Sequence, residues 1–346
     1  MKLQALLFFL FSTFILAAQQ KAPVLSELKL EQVPAGKVSH YWLQMGEDAF
    51  GQAILVPVIV AKGNEGGPAL GLTAAIHGNE LNGIAVIHEA LGQLDLATLK
   101  GSVIAIPGLN PPAIFRNQRE YPDGQDLNRI FPGKANGNES QQFTYAIATR
   151  ILPLFDILLD LHTASFGREN TLYCRADTSD QLLFALARLQ QPDIILHSEG
   201  QPSAGATASG RTLRAEAIMH GIPCITIEYG NPQVWQADMI DRGAAGILRT
   251  LSFLGMQPPR NEQPAPEPVI CRKSYWIYTD RGGLLHVPVE NGQKVSKGEL
   301  IGVLKNSFGE IICTYHAPED GIIIGKSTNP AGGNGARIVH LGVERE

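Results

Sequence analysis

The feature that most constrains this chain is a repeated exchange between two hydrophobic periods. Ala53–Val60, Ala69–Ile76 and Val103–Ile106 are short apolar runs of strand length. Between the last two, Gly83–Leu94 carries Ile84, Ile87, Ala90, Leu91 and Leu94, offsets mostly of three and four that match a helix. The alternation continues with helical patterns over Ser140–Leu154, Gln181–Leu189, Arg211–His220 and Asp238–Leu254, and strand patterns over Asp156–Leu161 and Cys224–Glu228. Strand, helix, strand in this order predicts an α/β fold with parallel pairing, because a parallel strand needs a crossover connection.

The pattern changes at Gln257–Pro268, which holds five prolines in 12 residues and reads as a stiff linker. Beyond it, Ser274–Tyr278, Gly283–Val289, Leu300–Leu304, Ile311–Tyr315, Gly321–Ile324 and Arg337–Leu341 are short β candidates separated by turns such as Asn291-Gly292 and Lys297-Gly298. We therefore expect a catalytic domain over 19–256, a linker over 257–268 and an all-β domain over 269–346. The stretch Val289–Gly302 resembles the turn-rich repeat of biotinyl/lipoyl-like barrel-sandwich domains. The region where such carriers place their modified lysine, Asn306–Pro318, has no lysine, so the domain is read as a structural or substrate-capping module without attached biotin or lipoate.

Charge and cysteine content narrow the function classes. Lys plus Arg is 28 and Asp plus Glu is 33, for a formal net charge of -5, with no long basic run, which argues against a nucleic-acid partner. Lys2 followed by the 14-residue, mostly apolar block Ala5–Ala18 reads as a secretory signal over 1–18, too short for a membrane span of about 20 residues. Export to the periplasm or medium is expected, with no membrane anchor after cleavage, or a cytoplasmic protein if the segment is retained. Export also permits disulfides, and Cys174–Cys224 and Cys271–Cys313 are the pairings that stay within the expected domains; four free buried thiols are the equal alternative. Homo-oligomerisation is left open.

The chemistry concentrates at the ends of the expected strands. His77 and Glu80, in Ala75-Ile-His-Gly-Asn-Glu-Leu-Asn-Gly83, are three apart, so one turn can aim both at a common point, and both suit Zn²⁺. A catalytic zinc has three protein ligands and one open position; the candidate third ligand is His162, at the carboxyl end of Ile157–Leu161, with Asp160 placed to orient an imidazole. The segment Asn110–Gly133 is rich in amides and guanidinium groups. There Arg129 with Asn128 can hold a substrate carboxylate, and Arg119 can stabilise an oxyanion. Glu228 closes the apolar strand of Thr226-Ile-Glu-Tyr-Gly230 and suits a general base. His40, His88, His197, His220, His286, His316 and His340 have no partner at ligand spacing, and no G-x-S-x-G supports a serine hydrolase.

These pieces, H-G-N-E at 77–80, N-P at 110–111, D-L-N-R at 126–129, D-L-H at 160–162 and T-x-E-x-G at 226–230, together resemble the succinylglutamate desuccinylase/aspartoacylase family. The resemblance implies a zinc carboxypeptidase-like mixed sheet flanked by helices, followed by a C-terminal β module. It implies one zinc per chain on His77, Glu80 and His162, Glu228 as general base and acid, Arg119 at the scissile carbonyl, Asn128 and Arg129 at the substrate carboxylate, and Asn110 near the site. The expected activity is zinc-dependent hydrolysis of the amide of a small carboxylate-bearing N-acyl amino acid. A metallocarboxypeptidase, a peptidoglycan-peptide amidase acting on short peptides, and a non-catalytic binding protein on the same fold are the alternatives. The family's enzymes are typically intracellular, whereas the N-terminal segment here is of the export type.

Overall fold

The computed structural model describes residues 22–200, 210–260 and 266–344. The expected signal segment 1–18 lies outside them. In chain order the elements are β1 (Val24–Leu25), β2 (Lys37–Glu47), β3 (Ala53–Lys62), β4 (Glu65–Ala74), α1 (Asn82–Gly92), β5 (Lys100–Ile106), α2 (Pro111–Phe115), α3 (Glu139–Arg150), β6 (Ile157–His162), β7 (Arg168–Asn170), β8 (Leu172–Ala176), α4 (Gln181–Leu189), β9 (Ile194–His197), α5 (Leu213–Met219), β10 (Cys224–Tyr229) and α6 (Ala237–Phe253). There follow β11 (Val269–Tyr278), β12 (Gly283–His286), β13 (Lys294–Val295), β14 (Leu300–Lys305), β15 (Ile311–His316), β16 (Gly321–Ser327), β17 (Ala331–Gly332) and β18 (Arg337–Glu344).

One mixed sheet runs through most of the molecule in the order β1-β2-β3-β5-β4-β6-β10-β8-β9-β11-β18-β16-β13. Its centre is parallel: β4 pairs with β5 and β6, and β6 with β10. The strand period separates two faces. Leu159, Leu161, Ile225 and Ile227 join the core under Val86 and Ile87 of α1, Leu186 of α4 and Ile247 of α6. Leu158 and Cys224 face the opposite way, into the core shared with Phe143 and Ile147 of α3 and Leu213 of α5. On that second face the alternation also carries Asp160 and His162 of β6 and Thr226 and Glu228 of β10.

The sheet does not stop at the proline-rich stretch. Val269, Ile270 and Cys271 of β11 pair in parallel with Ile194, Ile195 and Leu196 of β9. A second sheet, β15-β14-β12-β17, closes over β16 and β18, and Leu285, Ile301 and Leu304 meet Ile323, Ile338 and Leu341 between the layers. This is the expected mixed α/β architecture with an antiparallel sandwich in the C-terminal part. Among the described residues no helix is long and apolar enough to cross a membrane.

Two local expectations change, and one open alternative is decided. The strand expected to reach Ile76 ends at Ala74, because Ala75 adopts φ 57° and turns the chain out of the ladder. Strands β8 and β9 carry no expected pattern: Arg175 interrupts the first, and the second has only four residues. The four cysteines are free thiols. Cys174 and Cys224 lie on neighbouring strands but in different cores on opposite faces of the sheet, a geometry that no disulfide spans.

Candidate active site

His77 and Glu80 occupy the loop between β4 and α1, closed by a turn in which the Glu80 amide donates to the His77 carbonyl at 3.1 Å. Neighbouring segments hold this loop. The Leu109 and Asn110 amides donate to the Ala74 and Ala75 carbonyls, and Asn110 Nδ2 donates to the Ile76 carbonyl at 2.9 Å. Asn110 Oδ1 accepts from Ala113, capping α2. Each end of this amide holds a main-chain partner, so Asn110 fixes the loop. Gly78 permits the close approach: a Cβ there would lie 2.1 Å from the Ala113 carbonyl carbon.

His162 ends β6, next to β4 in the sheet, and thereby reaches the same point. His77, Glu80 and His162 are all nearly fully buried, and one ligand atom from each lies within 4.8 Å of the others. Each imidazole is oriented by an outer carboxylate. His162 Nε2 faces Asp160 Oδ2 at 2.9 Å, and Asp160 Oδ1 accepts from Thr73 at 2.9 Å. His77 Nε2 faces Asp126 Oδ1 at 3.1 Å. An ionised carboxylate only accepts, so the facing Nε2 atoms carry protons and the Nδ1 atoms turn toward Glu80.

The donor set fits a metal ion. His162 Nδ1 is 2.8 Å from Glu80 Oε2 and His77 Nδ1 is 2.9 Å from Glu80 Oε1. The His77 contact is not aligned as a hydrogen bond, which leaves a buried nitrogen lone pair with no directed partner. Two imidazole nitrogens and a carboxylate converging in a buried site is the arrangement that a borderline-soft divalent cation satisfies. Burial alone would raise the Glu80 pKa, but His77 and His162 outweigh it and hold the carboxyl well below its usual range. Burial opposes charge on His162 too, yet Asp160 and Glu80 raise its pKa well above that of a free histidine.

Arg119 adjoins this cluster. Its Nε and Nη2 donate to Asp126 Oδ2 at 3.1 and 2.9 Å, leaving Nη1 to reach Glu80 Oε1 at 2.9 Å and Ser165 Oγ. Ser165 Oγ also donates to Glu80. Asp126 thus grips His77 with one oxygen and Arg119 with the other. Asn128 uses its oxygen to accept from the Leu213 amide at 2.7 Å, and among the described residues its NH₂ group has no partner. Arg129 donates Nη1 to the Asn128 carbonyl at 2.7 Å. Burial lowers the Arg129 pKa against the pull of Asp126, and the nearby Arg119 and Arg175 charges add to the lowering.

Glu228 lies opposite His162 in the β10–β6 register and opposite Tyr173 in the β10–β8 register, so all three share one face. Burial and the charge of Glu80 raise its pKa above the ordinary carboxylate value, against the opposing effects of His162, Arg175 and Arg168. The structure brings His77, Glu80, His162 and Arg119 into direct contact and sets Glu228 beside His162. It brings in three residues that sequence reasoning passed over. Asp126 stood unassigned in the D-L-N-R string, where the rule applied to Asp160, an outer carboxylate for each imidazole, points to it. Ser165 and Asn170 carried no signal.

A family model described as the succinylglutamate desuccinylase/aspartoacylase catalytic domain matches residues 66–254. The chain is 28% identical over 331 residues to the N-alpha-acetyl-L-2,4-diaminobutyric acid deacetylase of Halomonas elongata, a match spanning 88% of this chain and 90% of that enzyme. It is 32% identical over 176 residues to a succinylglutamate desuccinylase of Pseudomonas aeruginosa, covering 47% of this chain and 50% of that one. Among solved structures, the product-bound ectoine utilization protein of Ruegeria pomeroyi superposes with a TM-score of 0.79 at 21% identity, over 90% of this chain and 97% of that one, a likeness of fold. The family match runs through more than half of the 346 residues and takes in the loop, strands and carboxylates just described, and so the chain belongs to the succinylglutamate desuccinylase/aspartoacylase family.

Proposed function

We propose that this protein is an exported zinc-dependent deacylase that hydrolyses the amide of a small N-acyl amino acid. The observation that carries the reading is the buried His77–Glu80–His162 cluster at the ends of two adjacent parallel strands, with a carboxylate of raised pKa, Glu228, on the same sheet face. The names of the deacetylase and desuccinylase relatives supply the substrate class. Arg129, whose charge is disfavoured by burial and by the neighbouring Arg119 and Arg175, supports a substrate that bears a carboxylate, since an anion beside it would offset that cost. Export rests on the apolar N-terminal block alone.

His77 Nδ1, Glu80 and His162 Nδ1 would hold the zinc. Bound there, zinc would acidify a water molecule and polarise the acyl carbonyl. Glu228 would accept a proton from the attacking water and return it to the departing amine, the task for which a pKa lifted toward neutrality is suited. Arg119, held by Asp126, would turn its guanidinium charge toward the oxygen that gains charge as the carbonyl carbon becomes tetrahedral. Arg129 and the Asn128 NH₂ group would fix the substrate carboxylate.

The test is a hydrolysis panel of N-acetyl, N-succinyl and N-formyl amino acids alongside short peptides, run with the zinc-loaded protein and with Glu228→Gln. Hydrolysis of acyl amino acids, lost in the variant while zinc content is unchanged, is expected. Cleavage confined to peptides, or near-normal turnover by Glu228→Gln, would overturn the reading.

A further inference from the structure

Strand β7 lies beside the site, yet it pairs with the C-terminal strand β16 and not with its neighbours in sequence. Asn170, Glu169 and Arg168 stand opposite Gly325, Lys326 and Ser327. The pairing is fastened at several points. The Thr171 amide donates to the Ile324 carbonyl at 3.0 Å, and the Thr328 amide donates to the Gly167 carbonyl at 2.9 Å. Lys326 Nζ lies 3.4 Å from Glu169 and 2.7 Å from Glu290, and donates to the Val289 carbonyl at 3.0 Å.

Asn170 is 9% exposed, and its Nδ2 donates to Glu228 Oε2 at 3.4 Å, the long end of hydrogen-bonding range. What lets it lie there is the absence of a side chain across the ladder. A Cβ on Gly325 would stand 2.2 Å from Asn170 Oδ1 and 2.6 Å from the Glu169 carbonyl oxygen. The φ of Gly325 is not in the left-handed region, so its requirement is space and not backbone freedom. Tyr173, opposite Glu228 on β8, packs edge-on to His340 of β18 at 6.2 Å, and His340 stacks on Trp276 of β11 at 5.2 Å. Two neighbours of the same carboxylate are therefore footed on C-terminal strands.

We propose that Asn170 is a positioning residue for Glu228, and that Gly325 of the C-terminal sandwich makes this possible by leaving room for its amide. The proposal rests on the reading of Glu228 as the base. By engaging Oε2 with a neutral donor, Asn170 fixes the plane of the carboxylate. The C-terminal strands then belong to the catalytic apparatus through contact with a group that touches the base.

The experiment uses the full zinc-loaded chain as wild type, Gly325→Ala, Asn170→Ala, Asn170→Asp, the Gly325→Ala/Asn170→Ala double variant and Glu228→Gln. N-alpha-acetyl-L-2,4-diaminobutyric acid and N-succinyl-L-glutamate are the probes. Each of the first two single variants is expected to lower kcat roughly 10- to 100-fold, as misplacement of a reacting group does, with KM and zinc content nearly unchanged. Asn170→Asp keeps the shape but turns the donor into a like charge, and should be at least as damaging. The double variant should match Asn170→Ala in kcat, because the obstructed side chain is gone, although the remaining clash with Glu169 lowers its melting temperature. Crystal structures of wild type and Gly325→Ala give a readout independent of turnover: Asn170 should rotate and Glu228 should shift. Superimposable Asn170 and Glu228 in Gly325→Ala, or full activity in Asn170→Asp, would overturn the proposal. Inactive Glu228→Gln with fully active Asn170→Ala would overturn it alone, whereas active Glu228→Gln would remove the assignment of the base with it.

Discussion

Asp126 offers the sharpest test of how the candidate metal site is held. Its Oδ1 accepts from His77 Nε2 at 3.1 Å, and its Oδ2 accepts from Arg119 Nε and Nη2 at 3.1 and 2.9 Å. Asp126→Asn preserves shape, but the Asn128 amide also donates to Oδ1, at 2.9 Å, so that cap survives only if the amide oxygen takes the Oδ1 position. One of its two polar ends, however, is now a donor. The single amide oxygen can satisfy Arg119 or His77, not both. If it stays with the guanidinium, the NH₂ group confronts the His77 Nε2–H, and that ring must move its proton to Nδ1, the atom aimed at Glu80. A ring protonated at Nδ1 cannot ligate through it. Outer partners of metal-bound histidines are worth 10- to 100-fold in metal affinity, so zinc binding should weaken by about 1.4–2.8 kcal/mol. Competition with a fluorescent chelator at fixed pH measures this directly, and circular dichroism shows whether the fold is retained. Zinc affinity within about threefold of wild type, with Arg119 undisturbed, would refute the idea that Asp126 selects the His77 tautomer.

Other expectations are simpler. Because burial and Glu80 raise the Glu228 pKa, and a general base must be ionised, kcat/KM should rise with pH along an acid limb lying above the ordinary carboxylate range; a limb at the unperturbed value would contradict the assigned environment. Zinc at about 100 times its dissociation constant should stabilise the fold by roughly 2.7 kcal/mol, seen as a rise in melting temperature that chelator reverses, and no shift would mean that the cluster does not bind it. Gly78→Ala drives a Cβ to 2.1 Å from the Ala113 carbonyl carbon and should cost about 1–3 kcal/mol or more by denaturant melts, together with zinc affinity, since the obstructed loop carries both His77 and Glu80.

Much of the site was legible before the fold was known, and the reason is local. His77 and Glu80 are three apart and His162 ends an apolar strand, so a turn and a strand end sufficed to nominate them. Asp160 could be assigned to His162 for the same reason, being two residues away on one strand face. The Asn110 amide shows the limit: its place in the N-P string indicated proximity to the site, while its bonds to Ile76 and Ala113 show that it secures the loop.

The sequence by itself determined the alternation of elements and the change of character after the proline-rich stretch, and it nominated three donors suited to a metal. These follow from side-chain period and from the chemistry of single residues, both readable within a short window. The tertiary structure alone decided which distant groups meet. It brought Asp126 to His77, continued the main sheet through β9 into β11, and laid β7 against β16, more than 150 residues further along the chain. Such contacts depend on register and sheet order, and a shift of one residue in either would turn Asn170 and Glu228 away from each other without altering any local pattern.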